Sequence, residues 1–305
     1  MQKAITSQAS HISVCICTYK RSDFLRRLLD DLRDQETGGC FTYSIVICDN
    51  DHERSAESIV SEFVATSDIP VKYCLEPQQG IAHARNKVVQ NAMGDYLAFI
   101  DDDEFPERDW LQTLFVACNK YRVDGALGPV KPSYGNGVPQ WIVKGKFYDR
   151  PCPETGCILA PAQTRTGNVL LREFVARGEE SPFRPELRAG EDVDFFRRAI
   201  EQGRTFVWCN EAAVYETVPP ARWKRMYLLR KALLRGASAA LRPTAGVRSI
   251  TKSIIAVPVY GLALPVAALL GQHRFMDLLV RLCDHLGKLL ALVGINPVRE
   301  PYVSG

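Results

Sequence analysis

Four carboxylates stand side by side at Asp101-Asp102-Asp103-Glu104, directly after the apolar run 96–100. Adjacent carboxylates repel one another, so such a run at a strand end is tolerable where a cation offsets the charge. A hard divalent ion, Mg²⁺ or Mn²⁺, takes few carboxylates and completes its shell with phosphate oxygens and water. Bound there, it would act as a Lewis acid on a departing phosphate group. The bland alternative is a solvated acidic loop, against which stand the apolar strand before the run and the Pro106 turn after it. A second acidic pair, Glu191-Asp192, opens a helical pattern after Arg188-Ala189-Gly190. Carboxylates suit a helix N-terminus through the dipole alone. The chemical alternative makes Asp192 a general base for a hydroxyl, with Asp194 a weaker candidate.

The elements that must position these groups alternate. Residues 12–17, 43–48, 71–75 and 96–100 are short apolar runs that read as buried strands. Between them lie helical patterns. Ser22 is placed to cap the first, in which Phe24, Leu25, Leu28, Leu29 and Leu32 recur at helical spacing. Residues 55–64, 81–92 (opened by Gly80) and 110–121 form the others. Alternating strands and helices predict an α/β fold with a mostly parallel sheet covered on both faces. Ligands then bind beyond the C-terminal strand ends, where Thr18-Tyr19, Asp49-Asn50-Asp51 and Asp101 to Asp103 fall. Residues 124–185 read as loop-rich and include Trp141 and Gly167-Asn168. A helix over 191–202, strand character over 205–215 and a basic helix over 221–241 follow.

The chain has 305 residues, 46% hydrophobic and 24% charged, which excludes wholesale disorder. Its net charge of +3 is unevenly spread. Residues 217–276 hold ten Lys or Arg and no acidic residue, leaving 28 basic against 35 acidic elsewhere. That stretch reads as a surface for anionic lipid or phosphate. No interleaved aromatic pattern or DNA-binding motif accompanies it, so nucleic acid is not expected as a partner. The ten cysteines form no CxxC pair, so zinc is not expected. They read as free thiols in a reducing cytosol. Residues 1–11 are polar and do not read as a signal peptide, so the catalytic body is expected in the cytoplasm. Residues 253–270 are an uncharged run of 18, interrupted by Pro258 and Pro265. A spanning helix needs roughly 20 apolar residues, so a bent, re-entrant or interfacial segment is expected. Over 275–293, Asp277, Arg281, Asp284 or His285, and Lys288 form one polar stripe, with Leu278, Leu279, Leu282, Leu286, Leu289 and Leu290 facing elsewhere. That pattern suits an amphipathic helix lying in a membrane interface; packing of both segments on the body as core helices is the alternative.

Taken together, the motifs resemble family 2 glycosyltransferases of the GT-A fold over roughly residues 12–240. Ile12-Ser13-Val14-Cys15-Ile16-Cys17-Thr18-Tyr19-Lys20-Arg21 is similar to the opening strand of that family, with Cys17 where Pro is usual. Gly80-Ile81-Ala82-His83-Ala84-Arg85-Asn86 and Gly94-Asp95-Tyr96-Leu97-Ala98-Phe99-Ile100-Asp101-Asp102-Asp103 resemble its central signature. Thr166-Gly167-Asn168-Val169-Leu170-Leu171-Arg172 and Gly190-Glu191-Asp192-Val193-Asp194 follow in the family's order. Among family members, the chain resembles bacterial succinoglycan-type exopolysaccharide enzymes.

The resemblance implies a metal-dependent inverting hexosyltransferase that uses a nucleotide-sugar donor, UDP-linked by expectation. It implies that Thr18, Tyr19, Asp49 and Arg85 seat the uracil and ribose, and that Asp102 meets the ribose or diphosphate. Asp103 would ligate Mg²⁺ or Mn²⁺, with Asp101 the other end of the D-x-D pattern, and Asp192 would be the catalytic base beside Glu191. Gly167 and Asn168 would line the donor-sugar and acceptor space. Arg222-Trp223 resembles the Arg-Trp end of a Gln-x-x-Arg-Trp motif, with Pro219 in the Gln place, and implies contacts to the diphosphate and the acceptor sugar. Glu216 stands where a metal-assisting His is common. The implied acceptor is a lipid-linked saccharide presented at the cytoplasmic face of the inner membrane, the enzyme being peripheral or monotopic. The expected organisation is a GT-A domain over 1–241, with a nucleotide-binding half at 1–123 and an acceptor half at 124–241, followed by a membrane-associated helical region at 242–305.

Three other readings fit less well. A nucleotidylyltransferase needs a Gly-rich phosphate loop after the first strand, and Cys17-Thr18-Tyr19-Lys20-Arg21 has no glycine. A processive synthase needs several spanning helices. A catalytically silent scaffold does not explain Asp103 and Asp192.

Overall fold

The computed structural model describes residues 9–187, 190–240 and 247–295. The polar stretch 1–8, Arg188-Ala189 before the acidic pair, and Leu241 and Arg242 of the basic segment lie outside the described residues.

The chain opens with β1 (Ser10–Thr18), α1 (Ser22–Arg33), β2 (Phe41–Asp49), α2 (Glu57–Thr66), β3 (Val71–Leu75), α3 (Ile81–Asn91) and β4 (Tyr96–Phe99). Then come β5 (Glu104–Pro106), α4 (Trp110–Lys120), β6 (Gly125–Leu127), β7 (Val130–Tyr134) and α5 (Gln140–Gly145). The central part closes with β8 (Val169–Arg172), α6 (Glu173–Arg177), α7 (Glu191–Glu201), β9 (Phe206–Trp208) and β10 (Val214–Val218). Three helices end the described chain: α8 (Arg225–Ala240), α9 (Val247–Leu269) and α10 (Gln272–Leu292).

Seven strands form one sheet in the order β3-β2-β1-β4-β8-β6-β9. β1 pairs in parallel with β2 and β4, and β8 runs antiparallel to β4 and β6. The period-two alternation of β1 divides its side chains between two cores. Ile12, Val14 and Ile16 pack with the α1 leucines and Trp110, while Cys15 faces Val88, Phe99 and Phe196. All ten cysteines are free thiols.

Several expectations need correction. Ser22 does not cap α1; it is the first helical residue and its Oγ donates to the Ser55 carbonyl at 2.8 Å. The stretch 124–185 is loop-rich, as expected, but it also contributes the short elements β6, β7, α5, β8 and α6. β6 and β8 have only three and four residues, too few for a period to show. The single strand expected over 205–215 is two, β9 and β10, separated by a turn.

The described residues form two compact units. One comprises the chain up to Lys131 with Arg150–Glu216; the other comprises Pro132–Asp149 and the described residues from Thr217 on. The reason lies in the helices. α8 and α10 cross so closely that a Cβ on Gly236 would lie 1.9 Å from the Asp284 carbonyl oxygen, and one on Gly287 2.1 Å from that of Leu233. Only glycine at both places lets the backbones meet.

Within this helical unit the polar stripe of α10 faces outward at Asp277 and Arg281, which pair with each other, and meets the neighbouring helices from Asp284 on. Arg235 Nε donates to Asp284 Oδ1 at 2.7 Å, Ser253 Oγ and His285 Nδ1 are 2.9 Å apart, and Lys288 Nζ donates to Ser249 Oγ at 2.9 Å. These bonds tie α10 to α8 and α9 through part of its polar stripe, while Met276 and Leu282 of the apolar side are buried as well. α9 is one helix of 23 residues with Pro258 and Pro265 inside it. By length and composition Arg248–Leu269 could cross a membrane. Ile254, Ile255, Val259, Leu262, Val266 and Leu269 are exposed, the last at 89%.

Gly287→Ala tests the helix crossing. Alanine adds about 1 kcal/mol of helix propensity, but its methyl would meet backbone that cannot swing aside, and overpacking typically costs about 1–3 kcal/mol. The substitution should therefore lower the denaturation midpoint. A variant as stable as the parent in urea titration would show that α8 and α10 do not meet there.

Candidate active site

The C-terminal ends of β1 and β2 are in register, Thr18 opposite Asp49, and the acidic run leaves β4 immediately beside them. Thr18 Oγ1 donates to Asp102 Oδ2 at 2.8 Å. Arg21 Nη1 reaches both Asp102 Oδ1 at 3.0 Å and Asp103 Oδ2 at 3.2 Å. Asp102 and Asp103 are buried, whereas the Asp101 side chain is 46% exposed. Tyr19, half-buried, follows Thr18. Glu104 folds back, its Oε2 accepting the Asp101 N–H at 3.2 Å. It also begins β5, which pairs antiparallel with β10 and sets Glu216 opposite Glu104. Arg150 donates to Glu216 Oε2 at 2.6 Å.

Arg85 links the acidic run to α7. It projects from α3, is buried, donates to Glu191 Oε1 and lies 3.8 Å from Asp101 Oδ1. Gly190 takes φ +83° at the N-terminal boundary of α7, a backbone conformation that suits glycine. Asp192 sits one residue into the helix, close enough to Arg85, Asp101 and Glu191 to bear on their ionisation. The structure thus brings Thr18, Arg85, Asp101, Asp102, Asp103, Glu191 and Asp192 into one connected set.

Gly167 joins this set through its backbone. A Cβ there would lie 2.7 Å from Glu104 Oε1 and 3.2 Å from Asp101 Oδ2. Asn168 turns its side chain inward: it accepts from Trp110 Nε1 at 2.8 Å and donates to the Pro129 and Ala212 carbonyls at 3.0 and 2.7 Å. Its amide therefore fixes the loop rather than presenting itself to a ligand. Asp49 is likewise fully engaged, taking the N–H groups of Asp51 and Ala56 and the Tyr73 hydroxyl. Arg222 and Trp223 belong to the helical unit. There the Arg222 carbonyl accepts from Tyr148 and Trp223 Nε1 donates to Val218 O at 3.0 Å.

Three further residues stand out to which sequence reasoning gives no role of their own. Asp51 is 1% exposed, and its Oδ2 has no hydrogen-bond partner. The Thr166 hydroxyl is buried and equally without one. Arg165, half-buried, lies in the field of Arg150, Glu104 and Asp192. Burial first, and then the like charge of Arg150, pull its pKa down. The Thr166-Gly167-Asn168 motif draws attention to the loop, but nothing in the sequence says that Arg165 would share it with the acidic run.

A strand-end acidic run bound through an arginine to a carboxylate pair on a later helix invites comparison with known proteins. The family model of glycosyl transferase family 2 matches residues 13–177. The chain belongs to glycosyltransferase family 2. It is 29% identical to the succinoglycan biosynthesis protein ExoM of Rhizobium meliloti (strain 1021), over 96% of each chain. The structure of S. aureus TarS 1-349 in complex with UDP matches with a TM-score of 0.55 and 18% identity, over 97% of this chain and 95% of that one. The mannosyltransferase PcManGT from Pyrobaculum calidifontis, in complex with GDP-Man and Mn²⁺, matches with a TM-score of 0.62 and 16% identity, over 94% and 87%. At these identities the two structures speak to fold alone, and this glycosyltransferase has the GT-A fold.

The electrostatics of the site suit a cation. Burial raises Asp102 and Glu104 above the ordinary carboxylate range; Arg21 pulls Asp102 back while Asp103 pushes it up, and for Glu104 the neighbouring Asp101 pushes further up while Arg150 pulls back. Asp101 and Asp103 supply two hard oxygen donors, a set that fits Mg²⁺ or Mn²⁺ sharing its shell with phosphate and water. Among the described residues no three metal-ligating side chains gather into an all-protein cage.

Asp102 carries a measurable consequence. Its pKa is pushed up to about 6 in the folded chain, against about 4 when unfolded. The folded state therefore holds the proton more tightly. The resulting stabilisation is full below about pH 4 and is lost as pH rises through about 6. Asp102→Asn removes this titration and should gain on the parent by about 2–3 kcal/mol between pH 4 and 7. Urea titrations at both pH values measure the difference, and a gap that stays constant with pH would contradict the assignment.

Proposed function

We propose that this glycosyltransferase moves a sugar from a nucleoside-diphosphate donor, UDP-linked, onto a hydroxyl of a lipid-linked saccharide with inversion, in the assembly of an exopolysaccharide or other cell-surface glycan. The observation that carries the chemistry is the convergence of Asp192 and the acidic run on Arg85. It sets a carboxylate base and the seat of an anionic leaving group in one charge network. The acceptor oxygen attacks the anomeric carbon while its proton passes to the Asp192 carboxylate. The bond from that carbon to the diphosphate oxygen breaks, and its electron pair leaves with the diphosphate. A single displacement of this kind inverts the configuration.

Thr18, Tyr19 and the β2 end are assigned to the nucleoside. Within that end Asp51, with an unsatisfied carboxylate oxygen, is the better acceptor for a base N–H, and Asp49 holds the loop. Asp101 and Asp103 would hold Mg²⁺ or Mn²⁺, which would offset the charge of the departing diphosphate. Arg150 and Arg165 add positive charge beside them. Glu191, through Arg85, positions the start of α7. Asp102 is assigned to the ribose or diphosphate and the Gly167 backbone to the donor sugar; Arg222 and Trp223 keep the roles that the resemblance implies. The glycan pathway is supported by the likeness to ExoM. A place at the cytoplasmic membrane surface is supported by the exposed apolar face of α9 and the basic stretch 217–276.

Asp192→Asn should leave the fold and donor binding intact while lowering transfer by about 10²–10⁴-fold, the usual scale for acid–base catalysis. Turnover within a few-fold of the parent, with either UDP-glucose or another accepted donor, would remove Asp192 from that role. Asp103→Ala should abolish the Mn²⁺-dependent part of UDP binding in calorimetric titrations. Equal affinity of the parent for UDP with Mn²⁺ and with EDTA would count against a cation held there.

A further inference from the structure

A cavity of about 430 Å³ opens in the helical unit, where the end of α5 meets the turn between α9 and α10. Its walls are of two kinds. Ala267, Leu270 and Leu278 form an apolar side, and Lys144, His273 and Arg274 a cationic side. Asp277, the carboxylate among its lining residues, is already held by Arg281 Nε at 3.2 and 3.0 Å. Some other cations of this unit have partners, Arg235 with Asp284, Arg281 with Asp277 and Lys288 with Ser249, while Arg248 and Lys252 have none among the described residues and do not line this cavity. The side chains of Lys144, His273 and Arg274 have no hydrogen-bond or ion-pair partner among the described residues. Two certain cations that converge on one cavity with no counter-charge of their own call for an anion.

The anion's other half can be read from the surroundings. The cavity lies at the end of the exposed apolar face of α9. Leu270, 60% exposed, belongs to both, and Leu269 beside it is 89% exposed. A free inorganic phosphate would use the cationic wall and leave this face in water. Apolar side chains in such a contiguous row gain about 25 cal/mol for each Å² removed from water, so the face favours a ligand that brings hydrocarbon with its charge. The surrounding sequence, ten basic residues and no acidic one over 217–276, complements an anionic bilayer.

We propose that this cavity seats the phosphate of an anionic membrane phospholipid, with Lys144 and Arg274 on the phosphate and the acyl chains along Leu269 and Leu270. The proposal rests on the reading of the protein as membrane-associated and sharpens it from a charged surface to a single built site. His273 lines the same wall as a third donor.

The test uses the full-length chain in two assays. In the first, short-chain phosphatidylglycerol, kept below its micelle concentration, is titrated into the protein, which removes diffuse attraction to a charged surface. Short-chain phosphatidylcholine and inorganic phosphate are the comparison ligands. One saturable site for phosphatidylglycerol is expected, with both comparison ligands binding at least about tenfold more weakly. The double substitution Lys144→Gln, Arg274→Gln should weaken phosphatidylglycerol by about tenfold or more, two basic residues each counting about a factor of five. Both side chains are exposed, so the variant should fold, and its near-ultraviolet circular dichroism checks this. The companion substitution Arg248→Gln, Lys252→Gln, near the other end of α9, should leave this binding unchanged. Equal loss in both variants, or inorganic phosphate binding as tightly as the lipid, overturns the proposal. In the second assay the parent chain is sedimented with vesicles of phosphatidylcholine alone or mixed with phosphatidylglycerol. If it binds the mixed vesicles but shows no short-chain lipid site, the cavity assignment fails and the membrane reading stands. If it binds neither kind of vesicle, both fail.

Discussion

Carboxylates gathered at the end of a β-sheet repel one another, and burial strengthens the repulsion by removing the water that would screen it. The site brings Asp101, Asp102, Asp103, Glu104, Glu191 and Asp192 together and must offset that charge before any ligand arrives. Arg85 does most to make this possible. From α3 it takes Glu191 on one side and approaches Asp101 on the other, so one buried guanidinium links the strand-end run to the helix that carries Asp192. Arg21 performs the same service for Asp102 and Asp103 from the opposite flank. Arginine suits both tasks because its planar fork serves two carboxylates at once and stays charged when buried. The sheet order follows the same constraint: β1 and β4 must be neighbours for Thr18 to reach Asp102, and β5 must return beside β10 for Glu104 and Glu216 to face each other with Arg150 at hand.

The helical unit solves a different problem with the same chemistry. Its polar side chains meet one another between helices, and its apolar ones look outward along α9. A water-soluble bundle has the opposite arrangement. The two glycines at the α8–α10 crossing add close backbone approach, a device also used between helices in lipid, to the burial of Leu228, Ala232, Met276 and Leu282. The amphipathic period of α10 is real, and the helix buries Met276 and Leu282 while also using Asp284, His285 and Lys288 to bond its neighbours.

Much of this was legible from residue order. The run of strands and helices up to Lys120, the parallel pairing and the gathering of Thr18, Asp101–Asp103 and Asp192 at one end of the sheet follow from period and motif. The short antiparallel strands did not, because β6 and β8 hold too few residues to show a period and owe their conformation to the neighbours they pair with. The use of α10's polar stripe was hidden for a related reason. Periodicity reveals that a helix has two faces but not which partner each will meet. Arg150 and Arg165 were invisible because the loops that bring them near Glu104 carry no local signal.

The contrast between Asp49 and Asp51 shows what spacing alone cannot decide. The two carboxylates are two residues apart at the end of β2, and both are buried. Asp49 receives two backbone N–H groups and the Tyr73 hydroxyl, which satisfies it as part of the loop. Asp51 uses Oδ1 for the Glu53 N–H at 3.3 Å and leaves Oδ2 without a donor. A buried acceptor left unsatisfied costs about 1–3 kcal/mol, more where it is charged. That is a large fraction of the margin by which a domain is stable. A fold that had only to close this loop could do so with Asp49 alone. The second carboxylate makes sense if its missing donor comes from outside the chain, and a ring N–H of a nucleoside base is a donor of the right kind for this end of a parallel sheet.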